Sequence, residues 1–318
     1  MNIPLLHRLR AAKGAFLLPA GLGPDAGRDL DELEAFGFTI ERHPYLGVAY
    51  RGPADRLCPD QIEWELGTAR VGRRVAVWQR VGSTNDVAAK ASASAANDGL
   101  VVLAEEQTAG RGRRGRTWSA PAGSAILMSV LMFPPPPLDD PAWLTAWGAV
   151  AVAEVVEAHT GQPASIKWPN DVRVRGRKVA GILVERGGGA VVGIGLNVRT
   201  TPEDFPEGLR GSAASLACLR GETVDRSEVA RDLIRRLDAR YREGLERGAD
   251  ALNVAWRGRL EWLGEVVRVA TPSGPLRGQL LDADLRLGLV LGSDGGPPRR
   301  VAGTEVLAIA GPEAPGNR

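Results

Sequence analysis

The densest group of residues that could do chemistry is a basic, glycine-rich segment that runs from Gln107 to Trp118. Glycine lets backbone N–H groups approach an anion closely, and arginine adds a bidentate positive charge. The combination favours a loop that orders around a phosphate or a carboxylate. A solvated basic surface, or a patch that binds nucleic acid, is the alternative that this basic loop leaves open. Its glycines and arginines are Gly110, Arg111, Gly112, Arg113, Arg114, Gly115 and Arg116.

The spacing of Gly110, Gly112 and Gly115 also matches the G-x-G-x-x-G pattern of dinucleotide-binding domains. In those domains the glycine loop opens a helix. Here Pro121 and Gly123 follow among small polar residues, so no helix can begin and dinucleotide binding is disfavoured. The pattern G-x-x-x-x-G-K-[ST] does not occur in the chain, which excludes a P-loop.

Lysine is scarce in this chain, so its positions are informative. Lys13, Lys90, Lys167 and Lys178 are the only lysines among 40 basic residues. Lys167 opens the turn-forming motif Lys-Trp-Pro-Asn-Asp at the expected end of a strand, and Lys178 starts the apolar strand that follows. An exposed turn lysine is the simpler interpretation. The scarcity nevertheless favours the interpretation that these lysines stand where a compact ammonium group is needed rather than a guanidinium.

A third motif, Gly193-Ile-Gly-Leu-Asn197, carries two glycines within an apolar strand. Glycine weakens a strand but lets a ligand lie against its backbone. A close-packed sheet interior explains the same glycines equally well. Ser83, Thr84 and Asn85 by themselves indicate only the N-cap of a helix.

Composition bounds the class of protein. A length of 318 residues suggests about two domains, at roughly 150 residues each. The content of 44% hydrophobic and 25% charged residues indicates a folded, soluble chain, and a net charge of +2 does not indicate a nucleic-acid or membrane partner. The longest nearly uncharged helical stretch, 143–153, is too short to span a bilayer, and the N-terminus lacks a signal-peptide pattern. We therefore expect a cytoplasmic protein.

Cysteine and histidine are too few and too scattered for the usual metal or nucleophilic sites. Cys58 and Cys218 cannot form a disulfide framework or a four-thiolate zinc site. His7, His43 and His159 lie far apart and show no metal-ligand spacing. A Ser-His-Asp or Cys-His mechanism is accordingly disfavoured.

Hydrophobic periodicity predicts three regions in an α+β fold. The first, 1–70, reads as two helices followed by a hairpin, similar to a winged helix. The second, 71–262, alternates strands and helices as a mixed layer on one central sheet. The third, 263–311, suits a small SH3-like β-barrel, with a frayed tail from Gly311 onward. Its expected strands are 265–270, 276–282, 286–292, 299–302 and 305–310.

The expected elements of the middle region place the motifs along one sheet. The strands are predicted at 73–81, 100–105, 125–133, 178–185 and 190–198, and the last two form a hairpin. The helices are predicted from a Ser83 cap through Ala96, from an Asp140 cap to Gly161, and onward from a Ser227 cap.

Taken in order, these motifs resemble the biotin protein ligases of the bacterial type with an additional N-terminal domain. The resemblance extends from about Val75 to Ile309, and its most specific parts are the basic loop and Lys-Trp-Pro-Asn-Asp. It implies that biotin and MgATP give biotinyl-5′-AMP and pyrophosphate, after which the acyl group passes to one lysine of a carrier. The implied partner is the biotin carboxyl-carrier protein or domain of acetyl-CoA carboxylase or of a similar biotin-dependent enzyme.

The resemblance also assigns residues to sites. The residues expected to bind biotin are Ser83, Thr84, Asn85, Gln107, Gly110, Arg111, Gly112, Arg113, Lys167, Gly193 and Gly195. Those expected to bind ATP are Arg113, Arg116, Trp118, Asn170, Lys178 and Asn197. Lys167, Arg113 and Arg111 are the expected catalytic residues. Asp171 is expected either to orient Lys167 or to help bind Mg²⁺.

This reaction agrees with the lack of a credible histidine or cysteine nucleophile in the sequence. The first step brings a carboxylate to an α-phosphate, so two anions must meet, and no covalent enzyme intermediate is required. Catalysis then consists of charge neutralisation and alignment. The ammonium of Lys167 can approach both reacting centres, where a guanidinium fork would be displaced.

The first region departs from the repressor members of the family, which carry a full helix-turn-helix before the wing. Only about 22 residues separate Gly14 from Phe36, and the segment 19–24 breaks the chain. Residues 1–60 contain 7 basic and 8 acidic residues, a net charge of −1, whereas a DNA-binding domain should show a basic face. We therefore expect a degenerate winged helix that does not bind DNA. The acids of its predicted helix are Asp29, Asp31, Glu32 and Glu34.

Other functions remain as alternatives. A bifunctional ligase and biotin-responsive repressor is the main one, and the acidic helix disfavours it. Lipoate ligases share the catalytic architecture, but the basic loop and Lys-Trp-Pro-Asn-Asp resemble the biotin branch. A purely nucleic-acid-binding protein is disfavoured by the net charge. The resemblance also allows a homodimer, and it implies no membrane partner.

Overall fold

The structure, a computed structural model, describes residues 1–293 and 296–312. Of the tail expected from Gly311 onward, residues 313–318 lie outside this range. The α+β class with a central mixed sheet is confirmed. The boundaries expected between the three regions stay a prediction. Within the described ranges, no helix is long and apolar enough to cross a membrane.

The N-terminal region holds helices and one hairpin in the expected order. Asn2 begins the first helix by accepting a hydrogen bond from the Leu5 N–H at 3.0 Å, and Gly37, with a φ of 119°, ends the second. Between these two helices the chain forms the short 3-10 turn Pro19–Gly21. The elements are α1 (Ile3–Ala11), α2 (Ala26–Phe36), β1 (Thr39–His43), β2 (Gly47–Gly52) and α3 (Pro59–Glu63).

The central sheet has seven strands. They are β3 (Val75–Val81), β4 (Val101–Gln107), β5 (Ala125–Met132), β6 (Ser165–Lys167), β7 (Asp171–Val174), β8 (Arg177–Arg186) and β9 (Ala190–Asn197). Their order is β3-β4-β5-β9-β8-β7-β6, in which β3 and β4 run parallel and the other neighbours antiparallel. β5 is buried along its whole length because its apolar sequence lies in the middle of the sheet.

Helices cover both faces of this sheet. They are α4 (Thr84–Ala91), α5 (Pro141–Thr160), α6 (Leu216–Arg220), α7 (Arg226–Arg247) and α8 (Ala249–Arg257). α5 is apolar nearly all round because it lies between the sheet and α7, and the Trp147 Nε1–H donates to the Leu237 carbonyl at 2.8 Å. α4 packs on the opposite face through Ala88, which contacts Val102 and Leu131 in a smaller cluster.

Two helix boundaries differ from the prediction. α4 ends at Ala91 rather than Ala96, because residues 95–97 form a separate 3-10 turn. α7 is capped by Asp225 rather than by Ser227, since the Asp225 carboxylate accepts from the N–H groups of Ser227 and Glu228. A carboxylate at this position also complements the helix dipole. The Ser227 hydroxyl instead accepts from the Cys58 N–H at 3.3 Å.

The C-terminal region is a five-stranded antiparallel sheet in the order β13-β12-β11-β10-β14. Its strands are β10 (Val266–Thr271), β11 (Gly274–Asp284), β12 (Gly288–Ser293), β13 (Gly296–Val301) and β14 (Ala308–Ala310). The five short antiparallel strands agree with the expected small β region; within the described residues the edge strands β13 and β14 do not pair with each other, so no closed barrel is seen. Closure depends on contacts between strands distant in the chain, which strand spacing does not encode.

Buried charges hold the segment between β2 and β3 against the central region. Arg226, which is 1% exposed, pairs with Glu105 of β4 at 2.6 Å. The other Glu105 oxygen accepts the Leu57 N–H, and Arg226 also donates to the Asp55 carbonyl. Farther along α7, the Asp238 carboxylate accepts the N–H groups of residues 69–71 at 2.8–2.9 Å. α7 and β4 therefore supply the polar partners that this segment would otherwise find in water.

We expect Arg226→Ala to lower the free energy of unfolding by about 3 kcal/mol, because it leaves the buried Glu105 carboxylate without its cation. Arg242→Ala is the matched control, since Arg242 lies on the exposed face of the same helix, 3.9 Å from Glu246. The control should cost less than about 1 kcal/mol. Chemical denaturation of the three proteins measures both values, and equal losses would contradict the importance of the buried pair.

Candidate ligand-binding and active site

One cavity of about 370 Å³ opens where the basic loop, the start of α4, β8 and β9 meet. Of the residues predicted for the site, all except Gly110 line this cavity. The cavity thus brings together groups that are up to 114 positions apart, from Ser83 to Asn197. The lining members are Ser83, Thr84, Asn85, Gln107, Arg111, Gly112, Arg113, Arg116, Trp118, Lys167, Asn170, Asp171, Lys178, Gly193, Gly195 and Asn197.

A buried polar network forms one end of the cavity. The Gln107 Oε1 accepts from both the N–H and the hydroxyl of Thr84, at 2.7 and 3.0 Å. Ser129 of β5 donates toward the Thr84 hydroxyl and the Asn85 Oδ1, at 2.7 and 2.5 Å. The Ser83 hydroxyl accepts the Asn85 N–H and begins α4. These groups present fixed donors and acceptors to a small polar ligand.

Ser129 is a residue that sequence reasoning missed. It is fully buried in β5, and its neighbours along the strand are apolar. A lone hydroxyl within the run Ala-Ile-Leu-Met-Ser-Val-Leu-Met was the available signal, because a buried polar group needs partners.

Arg111 is held between two carboxylates. Its guanidinium bonds Asp86 at 2.7 and 3.0 Å and Glu185 at 3.0 and 3.2 Å. The guanidinium holds the pKa values of both carboxyl groups below their usual range, and the two carboxylates raise the pKa of Arg111. Glu185 also accepts from the Asn85 amide at 2.7 Å. These bonds fasten the basic loop to α4 and β8. The Arg111 guanidinium is therefore engaged with protein carboxylates and is not a free cation for a ligand.

The basic loop closes on itself. The Gly112 N–H donates to the Arg116 carbonyl at 2.7 Å, and the Trp118 N–H donates to the Gly110 carbonyl at 3.0 Å. A Cβ at Gly110 would overlap the Trp118 carbonyl, which explains why glycine is needed there although it does not line the cavity. Arg114, at a φ of 57°, donates to the Val306 carbonyl at 2.9 Å and so attaches the loop to the C-terminal region.

The two glycines of β9 accommodate side chains from elsewhere. A Cβ at Gly193 would overlap the Asn85 amide, and a Cβ at Gly195 would overlap the indole of Trp118. The Trp118 indole also reaches Gly181 of β8, and its buried Nε1–H has no hydrogen-bond partner among the residues that the structure describes. The close-packing explanation of these glycines therefore holds, and both residues still line the cavity.

The other end of the cavity combines this indole with charged groups. The Lys178 ammonium lies 5.6 Å from the Trp118 ring centroid and pairs with Asp171 at 2.7 Å. Asp171 faces Lys167 in the register of β6 and β7, but its carboxylate bonds Lys178. In the described ranges, no group of three or more His, Cys, Asp or Glu side chains could hold a metal ion. The expected role of Asp171, orienting Lys167 or helping to bind Mg²⁺, stays a prediction.

Arg113, Asn170 and Asn197 complete the lining. The Arg113 guanidinium donates to the Asn170 Oδ1 at 3.4 Å, and burial lowers the pKa of Arg113. The Asn197 amide donates to the Ala214 carbonyl at 3.1 Å. Through this bond and the Lys178 N–H bond to Ser212, the segment 199–214 is attached beside the indole. That segment contributes an apolar wall that sequence reasoning did not identify: Phe205, Pro206 and Leu209.

The Biotin/lipoate A/B protein ligase family matches residues 77–198 of this chain. The chain is 32% identical to the bifunctional ligase/repressor BirA of Bacillus subtilis over 81% of both proteins. It is 38% identical to the biotin–[acetyl-CoA-carboxylase] ligase of Mycobacterium tuberculosis, over 69% of this chain and 85% of that protein. The solved biotin protein ligase of Aquifex aeolicus, in complex with biotin and ATP, superposes with a TM-score of 0.67 at 26% identity, over 76% of this chain and all of that one. The chain therefore belongs to the biotin protein ligase family, as its motifs indicated.

Proposed function

We propose that this protein joins biotin to ATP as biotinyl-5′-AMP and then transfers the biotinyl group to a lysine of a biotin carboxyl-carrier domain. The observation that carries the proposal is the charge of the cavity. Six cationic side chains line it, and three of them, Arg111, Arg173 and Lys178, are paired with carboxylates. Among the described residues no carboxylate pairs with Arg113, Arg116 or Lys167, so their charge is available to an anion. The cations are Arg111, Arg113, Arg116, Lys167, Arg173 and Lys178.

The excess of cations suits a reaction between two anions. Two unit charges 4 Å apart repel by about 4 kcal/mol at an effective dielectric constant of 20. In the first step, a biotin carboxylate oxygen attacks the α-phosphorus of ATP, and the bond to the β-phosphate oxygen breaks with release of pyrophosphate. We propose that Lys167 and Arg113 neutralise the repulsion between these two anions. Both line the cavity without a carboxylate partner among the described residues.

The polar end of the cavity suits biotin. Ser83, Thr84, Asn85 and Gln107 line this end and offer donors and acceptors for the ureido ring and the carboxylate, and Ser129 holds Thr84 and Asn85 in place from behind. The second end suits ATP, with the Trp118 face beside Lys178 and the apolar wall of the segment 199–214. Mg²⁺ is proposed to arrive with the ATP phosphates, and Asp171 to set the position of Lys178. We assign to Arg111 the positioning of the basic loop.

The second step needs no nucleophile from the enzyme. The carrier lysine amine attacks the acyl carbon, AMP leaves, and the amine proton passes to solvent. The relative from Mycobacterium tuberculosis is named for acetyl-CoA carboxylase, so we propose a carrier of that kind as the acceptor.

A repressor activity is the second candidate function, because the Bacillus relatives are named ligase/repressors. The α2 surface opposes it: Asp31 and Glu34 pair with Arg42 at 2.5 Å each, and Glu32 lies 3.4 Å from the N-terminal ammonium. Arg42 and the N-terminal ammonium are thus already paired with acids of α2, and they are not available to bind DNA phosphates. Electrophoretic mobility shift of DNA from the upstream region of the chain's own gene, with biotin and ATP at low salt, separates a ligase–repressor from a ligase alone.

We expect Lys167→Ala to reduce biotin-dependent pyrophosphate–ATP exchange by about 100-fold or more, the scale of losing one charge contact to a transition state. Lys90→Ala, an exposed lysine on α4 outside the cavity, is the matched control and should stay near the wild-type rate. Exchange above a tenth of the wild-type rate in Lys167→Ala would refute the assigned role. Exchange supported by lipoate rather than biotin would refute the proposed substrate.

We expect Gly195→Ala to raise the KM for ATP about tenfold, because the added methyl group displaces the Trp118 indole from β9. Gly187→Ala, in the turn between β8 and β9, has no neighbour within 4 Å and should leave the KM unchanged. Steady-state exchange kinetics at varied ATP measure both. An unchanged KM in Gly195→Ala would exclude the indole from the ATP subsite.

We expect Arg113→Ala to release biotinyl-5′-AMP, since the loop then loses a cation that lines the cavity beside the ligand. Free adenylate acylates lysines at random, so a bystander protein such as serum albumin should become biotinylated. Arg80→Ala, an exposed arginine of β3 beside Glu106, should label only the carrier. Labelling confined to the carrier in both variants would show that Arg113 does not retain the adenylate.

A further inference from the structure

A tryptophan outside the basic loop lies beside the lysine at the centre of the proposed chemistry. The Lys167 ammonium is 5.6 Å from the ring centroid of Trp262, which lies between α8 and β10. This is within the distance at which a cation is attracted to an aromatic face. In the described part of the chain, Lys167 has no carboxylate partner, whereas the Lys178 ammonium is held by Asp171.

The chain segment before Trp262 also fixes the strand that carries Lys167. The Ile166 N–H donates to the Arg259 carbonyl at 2.7 Å, and the Glu261 N–H donates to the Ile166 carbonyl at 2.9 Å. The Glu261 carboxylate accepts from the Ser165 hydroxyl at 2.7 Å and from the Arg173 guanidinium at 2.9 Å. β6 is therefore bonded on one side by β7 and on the other by residues 259–261.

Trp262 itself is held in an unfavourable backbone conformation. Its φ is 65°, a left-handed value that residues with a Cβ rarely adopt. A Cβ at Gly311 would overlap the indole, so the end of the C-terminal sheet approaches the ring closely. Such a conformation persists where the surroundings determine it from several sides, and it is found where a side chain must be placed accurately.

We propose that Trp262 is a positioning residue for adenylate formation, whose ring holds the Lys167 ammonium at the cavity without neutralising it. A carboxylate in the same place would cancel the charge that two incoming anions require. An aromatic face fixes the direction of a cation and leaves its charge available. The inference rests on the proposed function, and it places the junction between the central and C-terminal regions at one side of the active site.

A spectrum of the protein labelled with ¹³C at the lysine ε carbons tests the contact independently of activity. The chain has four lysines, so four signals are expected, and the Lys167→Ala spectrum assigns one of them. The ring current of Trp262 should move the Lys167 ε protons upfield of those of Lys13 and Lys90. Trp262→Leu should abolish this displacement and leave Lys178, which lies over Trp118, unchanged. A Lys167 signal at the ordinary position in the native protein would overturn the proposal.

Exchange kinetics test the positioning role. Trp262→Leu should lower kcat about tenfold, equivalent to about 1.4 kcal/mol, with the biotin KM within about twofold of wild type. Trp262→Phe should keep most of the activity because it keeps an aromatic face. In a Lys167→Ala background, Trp262→Leu should cause no further loss, since the two residues act as one unit. Trp78→Leu, a half-exposed tryptophan of β3, is the control and should match wild type.

Two kinetic outcomes would overturn the proposal. Equal losses in Trp262→Phe and Trp262→Leu would indicate a packing role, and an additive loss in the Lys167→Ala background would show that Trp262 acts independently of Lys167. Absence of biotin-dependent exchange in the wild-type protein would instead refute the proposed function, while the lysine spectrum would still report on the contact.

Discussion

The site depends on two positions of β9, Gly193 and Gly195, where any side chain larger than that of glycine would collide with a neighbouring residue. β9 lies in the middle of the central sheet, and its two glycines admit the Asn85 amide and the Trp118 indole onto the strand. From Asn85 the contacts continue to Glu185 and then to Arg111 at the start of the basic loop. From the indole they continue to Lys178. Both ends of the cavity therefore take their positions from one strand.

The cations of the site divide into two kinds. Arg111 and Lys178 are paired with carboxylates, and their contacts fasten elements to one another. Arg113 and Lys167 are held by an amide oxygen and an aromatic ring, which orient a cation without cancelling its charge. Such a division reconciles two needs of a site for anions: a rigid frame, and positive charge that is still available when the ligands arrive.

Much of the fold and of the cavity lining could be predicted from the sequence, because it rests on local patterns. The alternation of apolar residues located the strands of the sheet, and glycine, proline and lysine located the motifs. The Asp225 cap, the Glu185 partner of Arg111, Ser129 and Trp262 were not foreseen, since each acts through a contact formed only on folding. Whether the C-terminal edge strands meet is likewise a matter of contacts between distant parts of the chain. Spacing along the chain does not reveal which distant residues meet.

The buried charges of α7 and β4 that bind residues 55–71 have a consequence for the evolution of the protein. Glu105, Arg226 and Asp238 are almost entirely buried, and they are satisfied by backbone groups of residues 55–71. A descendant that lost its first 74 residues would leave these charges facing solvent or one another. Deletion of the N-terminal region is therefore not a neutral event at the level of the gene, because substitutions on α7 and β4 would have to accompany it. The two parts of the chain are expected to have changed together.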